Sequence, residues 1–111
     1  MVSAWDGLRP IFLTGMPGSG KTSTGRALAR RLGAAFLDTD EIVAAMAGRP
    51  VPAIFAAQGE PHFRALERRA LALAAGARAV VVATGGGAPV DQRNVRLMRR
   101  SGAMVALTAS P

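Results

Sequence analysis

Residues 15–22, with the sequence GMPGSGKT, constrain the fold of this chain more than any other stretch. They fit the pattern GxxxxGK[ST], with an apolar segment at 10–14 before them and a helical pattern at 21–32 after them. Glycines in this pattern let consecutive backbone N–H groups turn inward around a phosphate chain at the start of a helix. The stretch therefore predicts a strand, a phosphate-binding loop and a helix that ends at Gly33.

The lysine and the threonine of this loop are expected to bind different parts of a nucleotide complex. Lys21 is expected to contact the outer phosphates of a nucleotide as a point charge, and the Thr22 hydroxyl is expected to bind Mg²⁺. The alternative is an ordinary glycine turn capped by threonine, but the strand before the loop and the helix after it favour the phosphate site. The residues predicted to line that site are Gly15, Gly18, Ser19, Gly20, Lys21, Thr22 and Ser23.

Apolar segments alternate with helical patterns along the rest of the chain. This alternation predicts one α/β domain over residues 1–111, with a parallel sheet covered by helices on both sides, as in the three-layer fold of P-loop proteins. Residues 41–75 are predicted to form a helical insertion between the second and third strands. The further strands are predicted at 35–37, 80–82 and 103–107, and a helix is predicted at 91–100.

Two helical faces are predicted to pack into the core. In the helix at 21–32, Leu28 and Leu32 lie four residues apart and so share a face. A later helix opens at Pro61, which is tolerated in a first helical turn. The apolar residues that share a face of that helix are Phe63, Leu66, Ala70 and Leu73.

The composition narrows the range of partners. The chain has 14 lysine and arginine residues against 7 acidic ones, a net charge of +7, and no cysteine. The arginines are scattered, and no aromatic residues lie among them to stack on bases, so we expect no nucleic-acid partner. No signal-peptide pattern is present, and no apolar run approaches the ~20 residues that span a membrane. We therefore expect a cytoplasmic protein without a membrane partner.

Polar and glycine residues follow two of the predicted strands. Asp38 and Asp40 follow the second strand and point the same way if the backbone stays extended, so that one serves a metal and the other an acceptor. The alternative is that one aspartate caps the next helix. The glycines at 85–87 offer bare N–H groups to a ligand or form a flexible turn. Arg64, judged on spacing alone, pairs with Glu60 one helical turn earlier.

Taken in order, these motifs resemble the shikimate kinases, small P-loop enzymes of aromatic amino-acid biosynthesis that phosphorylate the 3-hydroxyl of shikimate. The resemblance implies ATP and shikimate as substrates, Mg²⁺ as a cofactor and a family that is usually monomeric. The matching segments are the phosphate loop, FLDTD at 36–40, GxxxxxIF at 48–55, GExxFRxxE at 59–67 and TGGG at 84–87.

The resemblance also implies roles for individual residues. Asp38 is implied to work near Mg²⁺. Asp40 is implied to orient or deprotonate the attacking hydroxyl. Lys21 is implied to be the other catalytic residue. Arg64 is implied to grip the shikimate carboxylate, because a planar guanidinium matches a carboxylate, and this reverses its interpretation as a surface residue. The residues implied to line the substrate site with backbone donors are Gly85, Gly86 and Gly87.

The chain departs from the family pattern in two respects. Pro50 and Ala53 replace the capping box that usually opens the short helix, at a cost of about 1 kcal/mol that Pro52 partly offsets. We therefore expect a loosened substrate lobe. The family also continues beyond residue 111 with an arginine-bearing lid, an adenine-contacting segment and a last strand. On that basis we expect the 111-residue chain to be impaired or inactive as a kinase and prone to self-association through its fourth strand.

Two other functions fit part of the pattern. A kinase for another small hydroxy acid, such as gluconate, shares the phosphate loop and an acid after the second strand. The triple glycine and the helix that carries Phe63 and Arg64 weigh against it. A non-catalytic nucleotide-binding module is the other alternative, and it would bind ATP without turnover that depends on shikimate.

Overall fold

The computed structural model describes residues 8–15 and 20–107. Its strands are β1 (Ile11–Gly15), β2 (Ala35–Asp38), β3 (Val80–Ala83) and β4 (Ala103–Leu107). Its helices are α1 (Lys21–Leu32), α2 (Thr39–Ala47), α3 (Val51–Ala75) and α4 (Gln92–Ser101), with a 3₁₀ turn at Ala88–Val90. Every predicted strand and helix is present, with ends that differ from the prediction by at most two residues.

The four strands form one parallel sheet in the order β2-β3-β1-β4. The central pair is held in register by Phe12 opposite Val82, and Phe12 also lies opposite Met104 of β4. Every residue of β3 is buried, as expected for a β-branched strand covered on both faces. The predicted parallel α/β sheet is confirmed.

Alternate residues of the central strands enter two separate cores. Phe12 and Val82 pack with Leu71 and Met98, so α3 and α4 cover one face of the sheet. On the other face, Ile11, Leu13 and Val81 pack with Ala29 of α1. Since successive side chains of a strand point to opposite faces, this alternation produces the predicted three-layer α/β/α arrangement.

The face of α1 that packs on the sheet differs from the prediction. Leu32 is 36% exposed, whereas Gly25 and Ala29 are buried. A Cβ on Gly25 would overlap the ring of Phe36, so the helix approaches β2 closely at this position. The prediction of Leu28 and Leu32 as one buried face was therefore wrong for Leu32, because small residues let α1 lie nearer to the sheet than leucines would.

Helices α2 and α3 lie between β2 and β3 in the chain and share a small core of their own. Helix α3 is broken at Gly59, whose φ of 82° and ψ of 174° are not helical, so the two predicted helical segments are present and meet at this residue. The predicted face was wrong at Leu73, which is 64% exposed. The second segment instead turns Leu71 and Ala74 toward the sheet, because it packs on α2 at one end and on the strands at the other.

None of the helices in the described part of the chain combines the length and the hydropathy needed to cross a membrane.

Candidate active site

The candidate site lies at the carboxyl ends of the strands, where ligands gather in parallel α/β sheets. Here β1 leads into the phosphate loop, β2 leads into α2, and β3 leads into the three glycines. Since β1 and β2 both pair with β3, the turn at 85–87 lies between the other two strand ends. The fold thereby brings together three sequence motifs that are far apart in the chain.

The phosphate loop is described at its two ends. Gly20 precedes α1 with a φ of 78°, a conformation that glycine adopts without strain. The Nζ of Lys21 donates a hydrogen bond to the Gly15 carbonyl oxygen at 2.9 Å, so its ammonium group lies at the carboxyl end of β1. Thr22 and Ser23 are exposed in the first turn of α1. Gly18 and Ser19 lie outside the described residues.

Asp38 and Asp40 are placed differently from the prediction. Asp38 ends β2, but Asp40 already belongs to α2, so the two do not lie on one extended strand. The Oδ1 of Asp38 accepts hydrogen bonds from the backbone N–H groups of Asp40 at 2.8 Å and Glu41 at 3.4 Å. Asp38 is therefore the helix N-cap, the alternative left open on sequence grounds, and the premise of an extended backbone was wrong.

Asp40 is a half-buried carboxylate among charged groups. Burial raises its pKa above the ordinary value of 3.8, and the negative charge of Asp38 raises it further. The positive charges of Lys21 and Arg64 act in the opposite direction without cancelling the increase. Asp40 thus stands between the loop lysine and the helix arginine, with a stronger affinity for a proton than an exposed aspartate.

Arg64 is held by two glutamates on its own helix. Its Nη1 lies 3.1 Å from Oε1 of Glu67, which is 1% exposed, and its Nη2 lies 3.2 Å from Oε2 of the exposed Glu60. Burial lowers the pKa of Arg64, but the hydrogen bonds and charges of Glu67 and Glu60 outweigh that effect and hold it above its ordinary value. The predicted pairing with Glu60 is present, together with a buried partner that fixes the guanidinium.

The turn at 85–87 passes so close to Asp40, Glu67 and Arg64 that positions 85 and 87 need glycine. A Cβ on Gly85 would lie 3.0 Å from Oδ1 of Asp40 and 3.0 Å from Oε2 of Glu67, and one on Gly87 would overlap the Arg64 guanidinium. The N–H of Gly85 already donates to the Thr39 hydroxyl at 3.1 Å. The N–H of Gly85 is therefore not free to bind a ligand, contrary to the prediction for this residue.

A cavity of about 270 Å³ opens where these groups converge. Its polar wall is made by Asp40, Arg64, Glu67 and the glycines at 85–87, and its apolar wall by Val51, Phe55 and Phe63. The rings of Phe55 and Phe63 contact each other with centroids 4.6 Å apart. This combination of a cation, two carboxylates and an aromatic wall suits a small polar ligand with one apolar face.

Two residues of this region were not predicted as site residues. Glu67 belongs to the GExxFRxxE segment, and a glutamate three residues after an arginine on a helix indicates an ion pair, which the structure contains. Burial raises the pKa of Glu67 above 4.5, and the charge of Arg64 opposes the increase. Thr39, which contacts Gly85, gave no signal at all, because its partner lies 46 residues away.

The side-chain oxygens of Thr22 and Asp38 fit a magnesium ion that a nucleotide also binds. Among the described residues, no group of three or more histidine or acidic side chains could hold a metal by itself. Mg²⁺ usually takes one or two protein oxygens and completes its shell with phosphate oxygens and water. The Thr22 hydroxyl is exposed, and capping uses only Oδ1 of Asp38, so Oδ2 forms no hydrogen bond within the described ranges.

A family model, the sequences of relatives and solved structures all match this chain to the same family. A family model described as shikimate kinase matches residues 17–111. The shikimate kinase of Symbiobacterium thermophilum is 50% identical over 101 residues, which cover 91% of this chain and 58% of that protein. The structure of shikimate kinase from Acinetobacter baumannii in complex with shikimate superposes with a TM-score of 0.89 at 39% identity, over 93% of this chain and 57% of that one.

The match to a different kinase is weaker. A gluconokinase from Sinorhizobium meliloti superposes with a TM-score of 0.55 at 21% identity, a likeness of fold alone. The chain spans a little over half the length of the relatives that it matches, since it covers 58% of one and 57% of the other. The family match nevertheless extends over most of this chain and includes the candidate site. The chain belongs to the shikimate kinase family.

Proposed function

We propose that this chain carries the acceptor site and the phosphate loop of an ATP-dependent shikimate kinase, which transfers the γ-phosphoryl group of ATP to the 3-hydroxyl of shikimate. The observation that carries the proposal is the cavity in which Asp40, Arg64 and the glycine turn converge. Lys21, which follows the phosphate loop, lowers the pKa of Asp40 by its charge, and this supports a nucleotide site near the same carboxylate. Membership of the family supports the same reaction.

Arg64 binds the shikimate carboxylate in this proposal. Glu67 takes Nη1, and the exposed Glu60 takes Nε and Nη2, so the substrate carboxylate replaces the more weakly held Glu60. Glu67 remains in place and prevents the guanidinium from turning away. The carboxylate then fixes one end of the ring, with Phe55 and Phe63 against its apolar edge.

Asp40 orients the 3-hydroxyl and accepts its proton. The hydroxyl oxygen forms a bond to the γ-phosphorus, the bond from that phosphorus to the β–γ bridging oxygen breaks, and ADP leaves with the bond's electron pair. The raised pKa of Asp40 makes it a better proton acceptor than an exposed aspartate. Most of the rate enhancement then comes from positioning and from neutralising charge on the phosphates.

The phosphate loop holds the nucleotide. Lys21 exchanges its contact with the Gly15 carbonyl for the outer phosphates of ATP, and the backbone N–H groups at the start of α1 face the same phosphates. Thr22 and Asp38 would hold Mg²⁺, which neutralises phosphate charge when bound. Residues 41–75, which include most of α2 and all of α3, form the lobe that encloses shikimate.

The proposal is tested by measuring ADP release and equilibrium binding with shikimate and gluconate, each in the presence of ATP and Mg²⁺. We expect binding of shikimate and not of gluconate, and ADP release that depends on shikimate but is slow, because the chain is expected to be impaired as a kinase. Arg64→Lys removes the two-pronged contact and leaves a positive charge, so the affinity for shikimate should fall by roughly 10–100-fold while ATP binding is unchanged.

Arg69→Lys is the matched control, because Arg69 is an exposed arginine on the same helix. It should leave both affinities unchanged. ATP binding without any binding of shikimate would contradict the proposed acceptor site, and turnover at an ordinary kinase rate would contradict the expected impairment. A preference for gluconate would contradict the proposed acceptor.

A further inference from the structure

Among the buried threonine hydroxyls at the carboxyl ends of the strands, two form hydrogen bonds between elements and have no part in the proposed reaction. Thr39 is 0% exposed and Thr84 is 2% exposed. Both lie next to residues of the site, since Thr39 precedes Asp40 and Thr84 precedes Gly85. A buried hydroxyl costs free energy unless it is hydrogen-bonded, so the partners of these two groups are informative.

Thr39 joins α2 to the end of β3. Its Oγ1 accepts a hydrogen bond from the Gly85 N–H at 3.1 Å and donates one to the Ala83 carbonyl oxygen at 3.4 Å. A single hydroxyl therefore satisfies one backbone donor and one backbone acceptor on either side of Thr84. This contact sets the position of the first turn of α2, and hence of Asp40, relative to the glycine turn.

Thr84 joins the end of β3 to the end of β1. Its Oγ1 donates to the Leu13 carbonyl oxygen at 3.0 Å, and its backbone N–H donates to the same oxygen at 3.0 Å. Leu13 lies two residues before Gly15, whose carbonyl oxygen accepts the hydrogen bond from Lys21. The two threonines thus link the acceptor side of the site to the phosphate loop through short backbone segments.

We propose that Thr39 and Thr84 are positioning residues that set the distance between Asp40 and the phosphate loop through these buried hydrogen bonds. The inference rests on the proposed kinase function, because that distance decides whether the shikimate hydroxyl is aligned with the γ-phosphorus. Alignment errors of about 1 Å in such reactions cost on the order of 100-fold in rate. Neither threonine touches a substrate in this arrangement.

The decisive property of Thr39 is its hydroxyl group and not its size. Thr39→Val keeps the shape and removes both hydrogen bonds, whereas Thr39→Ser keeps the hydroxyl and removes a methyl group. Thr24→Val is the matched control, since Thr24 is exposed on α1 and its hydroxyl bonds to no described residue. The three variants separate a lost hydrogen bond from a change in packing.

Two readouts test the inference on the purified protein. Amide hydrogen exchange of Gly85 should be roughly tenfold faster in Thr39→Val and near the parent rate in Thr39→Ser and Thr24→Val. The kcat for shikimate phosphorylation should fall on the order of 100-fold in Thr39→Val, with an unchanged KM for ATP and recovery in Thr39→Ser. Thr84→Val should lower kcat in the same way without exposing the Gly85 amide.

Failure of the inference is distinguishable from failure of the proposed function. If the parent protein phosphorylates shikimate and Thr39→Val has the same kcat as Thr39→Ser, the positioning role is overturned and the kinase function stands. Unchanged exchange at Gly85 in Thr39→Val also overturns it. If the parent protein neither binds nor phosphorylates shikimate, both the proposed function and the inference fail.

Discussion

Individual residues of the site combine structural and chemical tasks. Asp38 caps α2 with one carboxylate oxygen, and its other oxygen would bind Mg²⁺ in the proposed site, while Glu67 is buried and holds Arg64. Burial raises the pKa of both Asp40 and Glu67, because neither carboxylate is fully solvated. Arg64 opposes the increase at each of them. The charges of the cavity therefore form one coupled group.

The role of Asp40 is tested through pH and substitution. Since its pKa lies above 3.8 and the base must be ionised, kcat/KM should decrease as the pH falls through that raised value, at a higher pH than an exposed aspartate would require. Asp40→Asn removes the proton acceptor and should lower kcat by about 10²–10⁴-fold with little change in ATP affinity. Initial rates between mildly acidic and neutral pH measure both effects.

Glu41→Gln is the control for this substitution, because Glu41 is the exposed neighbour of Asp40 on α2. It should leave the pH profile and kcat unchanged. An Asp40→Asn variant with the parent kcat would show that the hydroxyl needs no base from this residue.

At the scale of elements, helix ends and breaks decide where the site residues lie. Helix α3 begins at Val51, and its N-cap residue, Pro50, provides no side-chain hydrogen bond, in agreement with the missing capping box in the sequence; the helix breaks at Gly59. The break separates the segment that carries Phe55 from the one that carries Phe63 and Arg64, and it lets both phenylalanines face the same cavity. The substrate lobe therefore depends on one unusual backbone conformation.

Gly59 occupies a region of φ and ψ that is essentially restricted to glycine, with φ 82° and ψ 174°. Gly59→Ala should lower the free energy of unfolding by about 1–3 kcal/mol, because an alanine is strained there. Urea denaturation followed by circular dichroism measures the change. Gly76→Ala is the matched control, since Gly76 has a right-handed conformation with φ −85° and should lose no stability. Equal effects of the two substitutions would exclude backbone strain as the cause.

At the scale of the whole molecule, the sheet has one strand that is poorly covered. Within the described residues, β4 pairs with β1 alone, and Val105 on it is 43% exposed. An unpaired edge offers backbone donors and acceptors to another strand, and an exposed valine favours such pairing. The net charge of +7 opposes association, and added salt screens that repulsion.

We therefore expect concentration-dependent self-association that increases with salt, measured by sedimentation equilibrium. Val105→Lys places a charge on the edge strand and should shift the protein toward monomer. Val90→Lys is the control, because Val90 is an exposed valine away from this edge and should leave association unchanged. A monomer at high concentration and moderate salt would contradict this prediction, as would an equal effect of the two substitutions.

Much of the architecture followed from local patterns. Local patterns along the chain predicted the alternation of strands and helices and the break before Pro61, and both are present in the described residues. The errors were of another kind. Leu73 fits the helical period but faces solvent, because the direction in which α3 packs is set by α2 and the sheet and not by its own sequence.

The sequence by itself determined that this is a parallel α/β domain with a phosphate loop, and its ordered motifs identified the family. These properties are local, since turn chemistry and hydrophobic period act between neighbours in the chain. Only the tertiary structure decided that Asp38 caps a helix, that Glu67 is buried against Arg64, and that Thr39 takes the N–H of Gly85. Burial and long-range hydrogen bonds depend on how separate elements pack, and no spacing of residues along the chain specifies that.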